Sequence, residues 1–231
     1  MVFEEYSKIV KEFQHDASLS LTQTFDALCA AQDSLITELV ASGAGVAGWK
    51  IVDKDGVIIL SPIFDFQVFK PIGETISSQA IRGTELEVCF QITVPATLDA
   101  VKERVADLPP FAAVELIRPE IHPSNHSACD FYFNYGVFVT PSPVSGEVRF
   151  EGGNQGYDFS VNVDQLVDAK KAIVQQGILQ CIQRGYGDKN YFFITGTLNG
   201  LVPTSESIGV NRVLNQGESQ ICFDISETAV L

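Results

Sequence analysis

Leu21, Phe25, Leu28, Leu35 and Leu39 recur at helical spacing among Gln, Asp and Glu, which predicts a helical opening segment. The stretch Ser42-Gly-Ala-Gly-Val-Ala-Gly48 ends it, because clustered glycine does not sustain a helix. Beyond that break the pattern changes to short apolar or alternating runs of the kind strands require. They fall at 57–60, 85–94, 113–117, 135–140, 147–150 and 157–161, and again at 190–195, 209–214 and 219–225. Two helices interrupt them. One is expected over 97–108, with Thr97 as N-cap and Pro109-Pro110 as its stop. The other is expected over 164–184, capped by Asp164, stopped at Gly185, with Val174, Ile178, Cys181 and Ile182 on one face. No repeat or low-complexity linker divides the chain. The pattern predicts a mainly β fold with flanking helices (α+β) in a single domain, 1–231. Residues 1–45 form its helical N-terminal segment and 46–231 its β-rich core.

Composition narrows the functional classes. Hydrophobic residues are 45% of the chain and charged residues 19%, a packed globular composition that excludes disorder. At 231 residues, folding buries about 70% of the unfolded surface, so the core needs no covalent staples. The net charge of −14, with 15 basic residues against 29 acidic ones, opposes binding to nucleic acid or to an anionic membrane surface. The five cysteines at 29, 89, 129, 181 and 222 are widely spaced and lack a CxxC pair, as expected for free thiols in a reducing compartment. The charged N-terminus shows no signal-peptide core, and no apolar run reaches the ~20 residues of a membrane span. The expected location is the cytoplasm.

Chemistry concentrates in two segments. In Gly83-Thr-Glu85-Leu-Glu87-Val, side chains two apart on a strand share a face, so Glu85 and Glu87 project together. Adjacent carboxylates repel unless a positive group lies between them, and hard divalent cations with oxygen ligands fill that role. An acidic solvated strand face gives the same pattern. Glu115, in Phe111-Ala-Ala-Val-Glu115-Leu-Ile, adds a third acid in an apolar setting that needs a neutralising partner, either a cation or a basic side chain. The second segment is Val46-Ala-Gly-Trp-Lys50-Ile, whose lysine is enclosed by apolar residues that would tune it for proton transfer, or is an ordinary snorkelling lysine. Other candidates are weaker. His122 and His126 flank a proline and polar residues, so they lack helical metal-pair geometry. Gly152-Gly-Asn-Gln-Gly156 is expected to be a hairpin turn rather than a phosphate loop. Ser205 and Ser207 have no triad-like His.

Taken in order, Gly48-Trp-Lys-Ile51, Ser61-Pro-Ile-Phe64, Thr84-Glu-Leu-Glu-Val-Cys-Phe90, Ala113-Val-Glu-Leu-Ile117, Cys129-Asp130, Tyr135-Gly-Val-Phe-Val139 and Thr195-Gly-Thr-Leu-Asn-Gly-Leu-Val-Pro203 resemble the fumarylacetoacetate hydrolase superfamily. Within it they resemble the 2-oxopent-4-enoate hydratase and 4-oxalocrotonate decarboxylase branch. The resemblance implies a twisted β fold around a deep pocket, homo-oligomeric assembly, and Mg²⁺ or Mn²⁺ on Glu85, Glu87 and Glu115. It also implies Lys50 as a general acid/base, and Asp130 lining the pocket or orienting a water. The implied activity is that of a metal-dependent lyase acting on a 2-oxo acid or β-dicarbonyl through a metal-stabilised enolate. The alternative is a non-catalytic protein that keeps the fold for binding or assembly. The chain departs from the family pattern at Val52, at Arg118-Pro-Glu120, at Phe131 and at Asp164-Gln-Leu-Val. Phe131 and Trp49 are expected to suit the pocket to a bulky apolar substrate.

Overall fold

The computed structural model describes residues 3–12, 21–54, 56–121 and 127–227. Helices α1 (Phe3–Glu12) and α2 (Leu21–Ala41) open the chain. Next come β1 (Val46–Lys54), β2 (Val57–Phe64), β3 (Val68–Phe69), β4 (Ile72–Ser77) and β5 (Gly83–Thr93). After α3 (Val101–Ala106) lie β6 (Phe111–Ile117), β7 (Asn134–Val139), β8 (Glu147–Gly152) and β9 (Tyr157–Asn162). Helix α4 (Val167–Gln183), β10 (Asn190–Thr197), β11 (Val202–Pro203), α5 (Thr204–Ser207), β12 (Gly209–Asn215) and β13 (Glu218–Ser226) complete it.

The mainly β architecture with N-terminal helices is as the hydrophobic pattern predicts. One sheet runs β2-β1-β10-β5-β6-β7-β3, with β11 on β5; the other runs β4-β13-β12-β8-β9. They share a core in which Phe138 stacks on Phe223 at 4.4 Å between ring centroids. Gly152 to Gly156 makes the β8–β9 hairpin turn, with Gly152 paired to Tyr157. Beyond the expected strands lie β1, which follows directly on the glycine-rich break, and β3, β4 and β11, too short or too polar to leave a period-2 signature.

Both helix starts differ from expectation. Thr97 is extended and its side chain caps nothing; a short 3-10 turn (Leu98–Ala100) precedes α3. Ahead of α4, Asn162 rather than Asp164 is the capping residue: it accepts the Asp164 amide, while the Asp164 carboxylate accepts Gly146 N–H. The stop at Gly185 is as expected. Its φ of +83° suits glycine, and the Gly185 and Tyr186 amides donate back to Ile182 and Cys181 carbonyls, closing the helix in a Schellman motif.

The larger sheet positions the site by having two unlike faces. Leu86, Val88 and Phe90 of β5, Val114 and Leu116 of β6, and Trp49 and Ile51 of β1 face the main core under α4. The alternate residues Glu85, Glu87, Glu115 and Lys50 face the opposite side, next to a small apolar cluster of Cys89, Ala113, Val137 and Ile194. Central strands covered on both faces carry near-continuous burial, and β6 is buried at every position.

Candidate functional site

The register between β5 and β6 creates the acidic cluster. Glu85 is paired directly with Glu115, and Glu87 with Ala113, so the third acid stands across the ladder from the first and diagonal to the second. Like charges directly opposite are destabilising. One carboxylate oxygen from each of the three lies within 4.8 Å of the others. Lys50, one strand beyond β10, reaches into this group: its Nζ is 2.7 Å from Glu115 Oε2 and donates to the Tyr132 carbonyl at 3.5 Å. Three carboxylates and one ammonium leave two negative charges in excess.

Two of the acids are held from outside the cluster. Asn134 Nδ2 donates to Glu115 Oε1 at 2.7 Å, and Gln67 anchors the Asn134 carbonyl. Gly196 N–H donates to Glu87 Oε2 at 2.8 Å. That amide is re-aimed by a bulge: between Ile194 and Thr197 the strand advances three residues while β5 advances two, and Gly196 takes a φ of +86° that only glycine adopts without strain. Lys170 of α4 closes the bulge by donating to the Thr195 and Gly196 carbonyls at 2.8 and 3.2 Å.

The electrostatics follow. Burial, and then Glu115, push the Glu87 carboxyl well above its ordinary range; the same causes raise Glu85. Burial opposes the Lys50 charge, but Glu115 and Glu87 more than offset it and hold the ammonium above its usual value. Burial lowers Lys170, which Glu87 only partly counters. The donor set suits a hard divalent cation: it is all carboxylate, carries two excess charges, and includes Glu87 Oε1, a buried oxygen with no donor. Glu85, half-buried, opens onto a cleft of about 510 Å³ lined also by Lys50, Arg82, Glu87, Tyr132, Phe133 and Lys170.

The structure thus brings Glu85, Glu87, Glu115 and Lys50 together. Asp130 sits elsewhere, outside the cleft lining. It is fully buried, its Oδ1 2.7 Å from Arg118 Nη2 and its Oδ2 accepting Ile121 N–H at 3.1 Å. Trp49 and Phe131 also differ from expectation. Trp49 packs on Tyr186 and Tyr191, and Phe131 on Tyr6 and Phe64, all in the core. The cleft's apolar wall is instead Ile117, Tyr132, Phe133 and Ile173. His122 and His126 lie outside the described residues. The sequence reading missed Asn134, Lys170 and the Gly196 amide; a glycine inside a strand pattern was the available signal for the bulge. Among the described residues all five cysteines are free, and Cys29 and Cys222 are only half-buried. No described helix is long and apolar enough to cross a membrane.

No protein-family model matches the chain, and no curated protein sequence matches it. Solved structures do. The chain is similar to 4-oxalocrotonate decarboxylase from Pseudomonas putida G7 complexed with calcium and acetate, at 14% identity and a TM-score of 0.68 over 97% of this chain and 98% of that one. The same decarboxylase complexed with magnesium and adipate gives 12% identity and a TM-score of 0.67, again over 97% and 98%. Maleylpyruvate hydrolase from Sphingobium sp. SYK-6 aligns over 89% of this chain and 84% of its own, at 12% identity and a TM-score of 0.50. The fold is the fumarylacetoacetate hydrolase fold, and the two decarboxylase structures fall in the branch that the ordered motifs resemble.

Proposed function

We propose that the chain is a divalent-metal-dependent enzyme acting on a 2-oxo acid or β-dicarbonyl compound, with a lyase reaction of the hydratase or decarboxylase kind as the specific reading. One observation carries it: Glu85, Glu87 and Glu115 bring carboxylate oxygens within 4.8 Å of one another, two charges in excess of Lys50, and Glu85 and Glu87 line a cleft. Glu85, Glu87 and Glu115 would hold the cation, Mg²⁺ or Mn²⁺. When bound, it supplies a Lewis acid toward a carbonyl oxygen of the substrate. Lys50, kept protonated by Glu115, delivers a proton from Nζ to the substrate atom that gains electron density and later recovers one. Asn134 and the Gly196 amide hold Glu115 and Glu87 in place, while Tyr132, Phe133 and Ile173 shield the reacting end from water. The calcium and magnesium complexes of the Pseudomonas decarboxylase, with acetate and adipate, support the reading by analogy of fold.

Calorimetry with Mg²⁺ and oxalate tests it. Oxalate is expected to bind only when Mg²⁺ is present, and Glu87→Gln is expected to abolish that dependence. Oxalate binding that ignores the metal, or is absent, would favour the second reading, a non-catalytic protein using the cleft for ligand binding. The Lys50–Glu115 ion pair is the observation on that side, since a lysine occupied by a carboxylate is a poor base.

A further inference from the structure

Three consecutive residues without glycine, Phe131, Tyr132 and Phe133, hold φ angles of 46°, 47° and 65°. L side chains avoid that region, and runs of such residues persist only where their surroundings over-determine them. Here the Tyr132 and Phe133 amides donate to the Ser127 and Asp130 carbonyls, Arg82 lies over the Phe133 ring, and a buried ion pair adds to them. Arg118 Nη2 donates to both the Asp130 carboxylate (2.7 Å) and the Asp130 carbonyl (2.9 Å), just before the run. Arg118 N–H takes the Phe133 carbonyl at 2.8 Å, at its end. The ion pair therefore grips the run at its start, the Arg118 main chain holds its end, and Phe131 is pinned between Tyr6 and Phe64. The gripped backbone emerges in the cleft. Its middle carbonyl, of Tyr132, is the one that Lys50 Nζ approaches at 3.5 Å, and the next residue, Asn134, is the one that donates to Glu115.

We propose that Arg118 and Asp130 are positioning residues for Lys50 and Glu115, acting through the left-handed Phe131–Phe133 run. Neither touches the cleft. Their ion pair sets where the Tyr132 carbonyl and the Asn134 amide stand, and so sets the lysine and the third carboxylate relative to each other. This deepens the proposed function and rests on it for its catalytic meaning, though the positioning itself does not depend on any metal.

The test uses the full chain in three variants. Asp130→Asn weakens the grip. Arg118→Met with Asp130→Leu replaces the pair by apolar groups of similar size, a change that buried pairs often tolerate in folding, and serves if the single variant fails to fold. Val213→Ala, a core truncation in the other sheet, is the control for lost stability that leaves the run untouched. The metal-free readout is acetic anhydride labelling of Lys50 against exposed lysines, followed by mass spectrometry. Labelling is expected to rise at least fivefold in the pair variants and to stay at the native level in Val213→Ala. The second readout is Mg²⁺-dependent oxalate affinity, expected to fall about tenfold in the pair variants alone. Native labelling and native affinity in a folded pair variant would overturn the proposal, as would equal changes in Val213→Ala. If the unmodified chain binds no oxalate with Mg²⁺, the functional reading fails while the labelling result still decides the positioning.

Discussion

Two buried ion pairs in the described chain have the same N–O distance, 2.7 Å, and opposite characters. Around Arg118–Asp130 the charges balance: one positive meets one negative, both carboxylate oxygens have donors, and the guanidinium also meets Tyr6 and Pro119, with only Arg118 Nε lacking an acceptor. Around Lys50–Glu115 they do not. Two further carboxylates crowd the same face, one with an oxygen that nothing donates to. Burial of charge is tolerated when satisfied and costly when not, so a closed pair reads as architecture. An open one, facing a cleft, reads as a place prepared for something positive.

The comparison is broken most directly at the lysine. Lys50→Ala is expected to fold, by far-UV circular dichroism, yet to lose about 10²- to 10⁴-fold in turnover on the proposed 2-oxo acid substrate, the range of general acid–base contributions. Full activity would remove Lys50 from the chemistry. The closed pair should respond in stability instead. Arg118→Met strands Asp130 in the core and is expected to cost about 3–5 kcal/mol in denaturant unfolding; a loss under 1 kcal/mol would show the pair to be less enclosed than its geometry implies.

The open cluster should also reveal itself through protons. Glu85 and Glu87 hold protons more tightly folded than unfolded, so above the ordinary carboxylate value of 4.5 the folded state binds the more protons. Their contribution to stability is then complete only below that value and is lost as pH rises toward the raised ones. In chelator, the melting temperature of the native chain should fall relative to Glu87→Gln as pH rises above about 4.5, and Mg²⁺ should erase the difference. Parallel curves would argue against surplus charge. The smallest effect is expected at the bulge. Gly196→Ala forces a side chain into φ +86°, at a cost of about 1–2 kcal/mol, and should weaken Mg²⁺ binding through Glu87; unchanged metal affinity would separate that amide from the site.

How much of this was legible in the residues depends on range. Glu85 and Glu87 share a face by period alone, and Lys50 stood out because charge is expensive among apolar neighbours. The pairing of Glu85 with Glu115 is a matter of register between distant strands, which no local pattern encodes. Asp130 shows the limit from the other side. Its acidity was visible, but its partner Arg118 stands 12 residues away along the chain, and only the fold reveals that the two meet. The family resemblance puts Trp49 and Phe131 at the pocket, whereas both pack in the core. On an extended strand, the neighbour of a cleft residue faces the other way, and Trp49 follows that rule beside Lys50.

The register of β5 on β6 has a kinetic corollary. Zipping these strands must bring Glu85 against Glu115, whereas the far end of the ladder joins Cys89 to Phe111 with no such repulsion. Pairing of the two strands should therefore start at the apolar end and stall at the acidic one. Refolding from denaturant in chelator is expected to slow as pH rises and to recover with millimolar Mg²⁺. A rate indifferent to both would mean that the acidic end closes only after the barrier has been crossed.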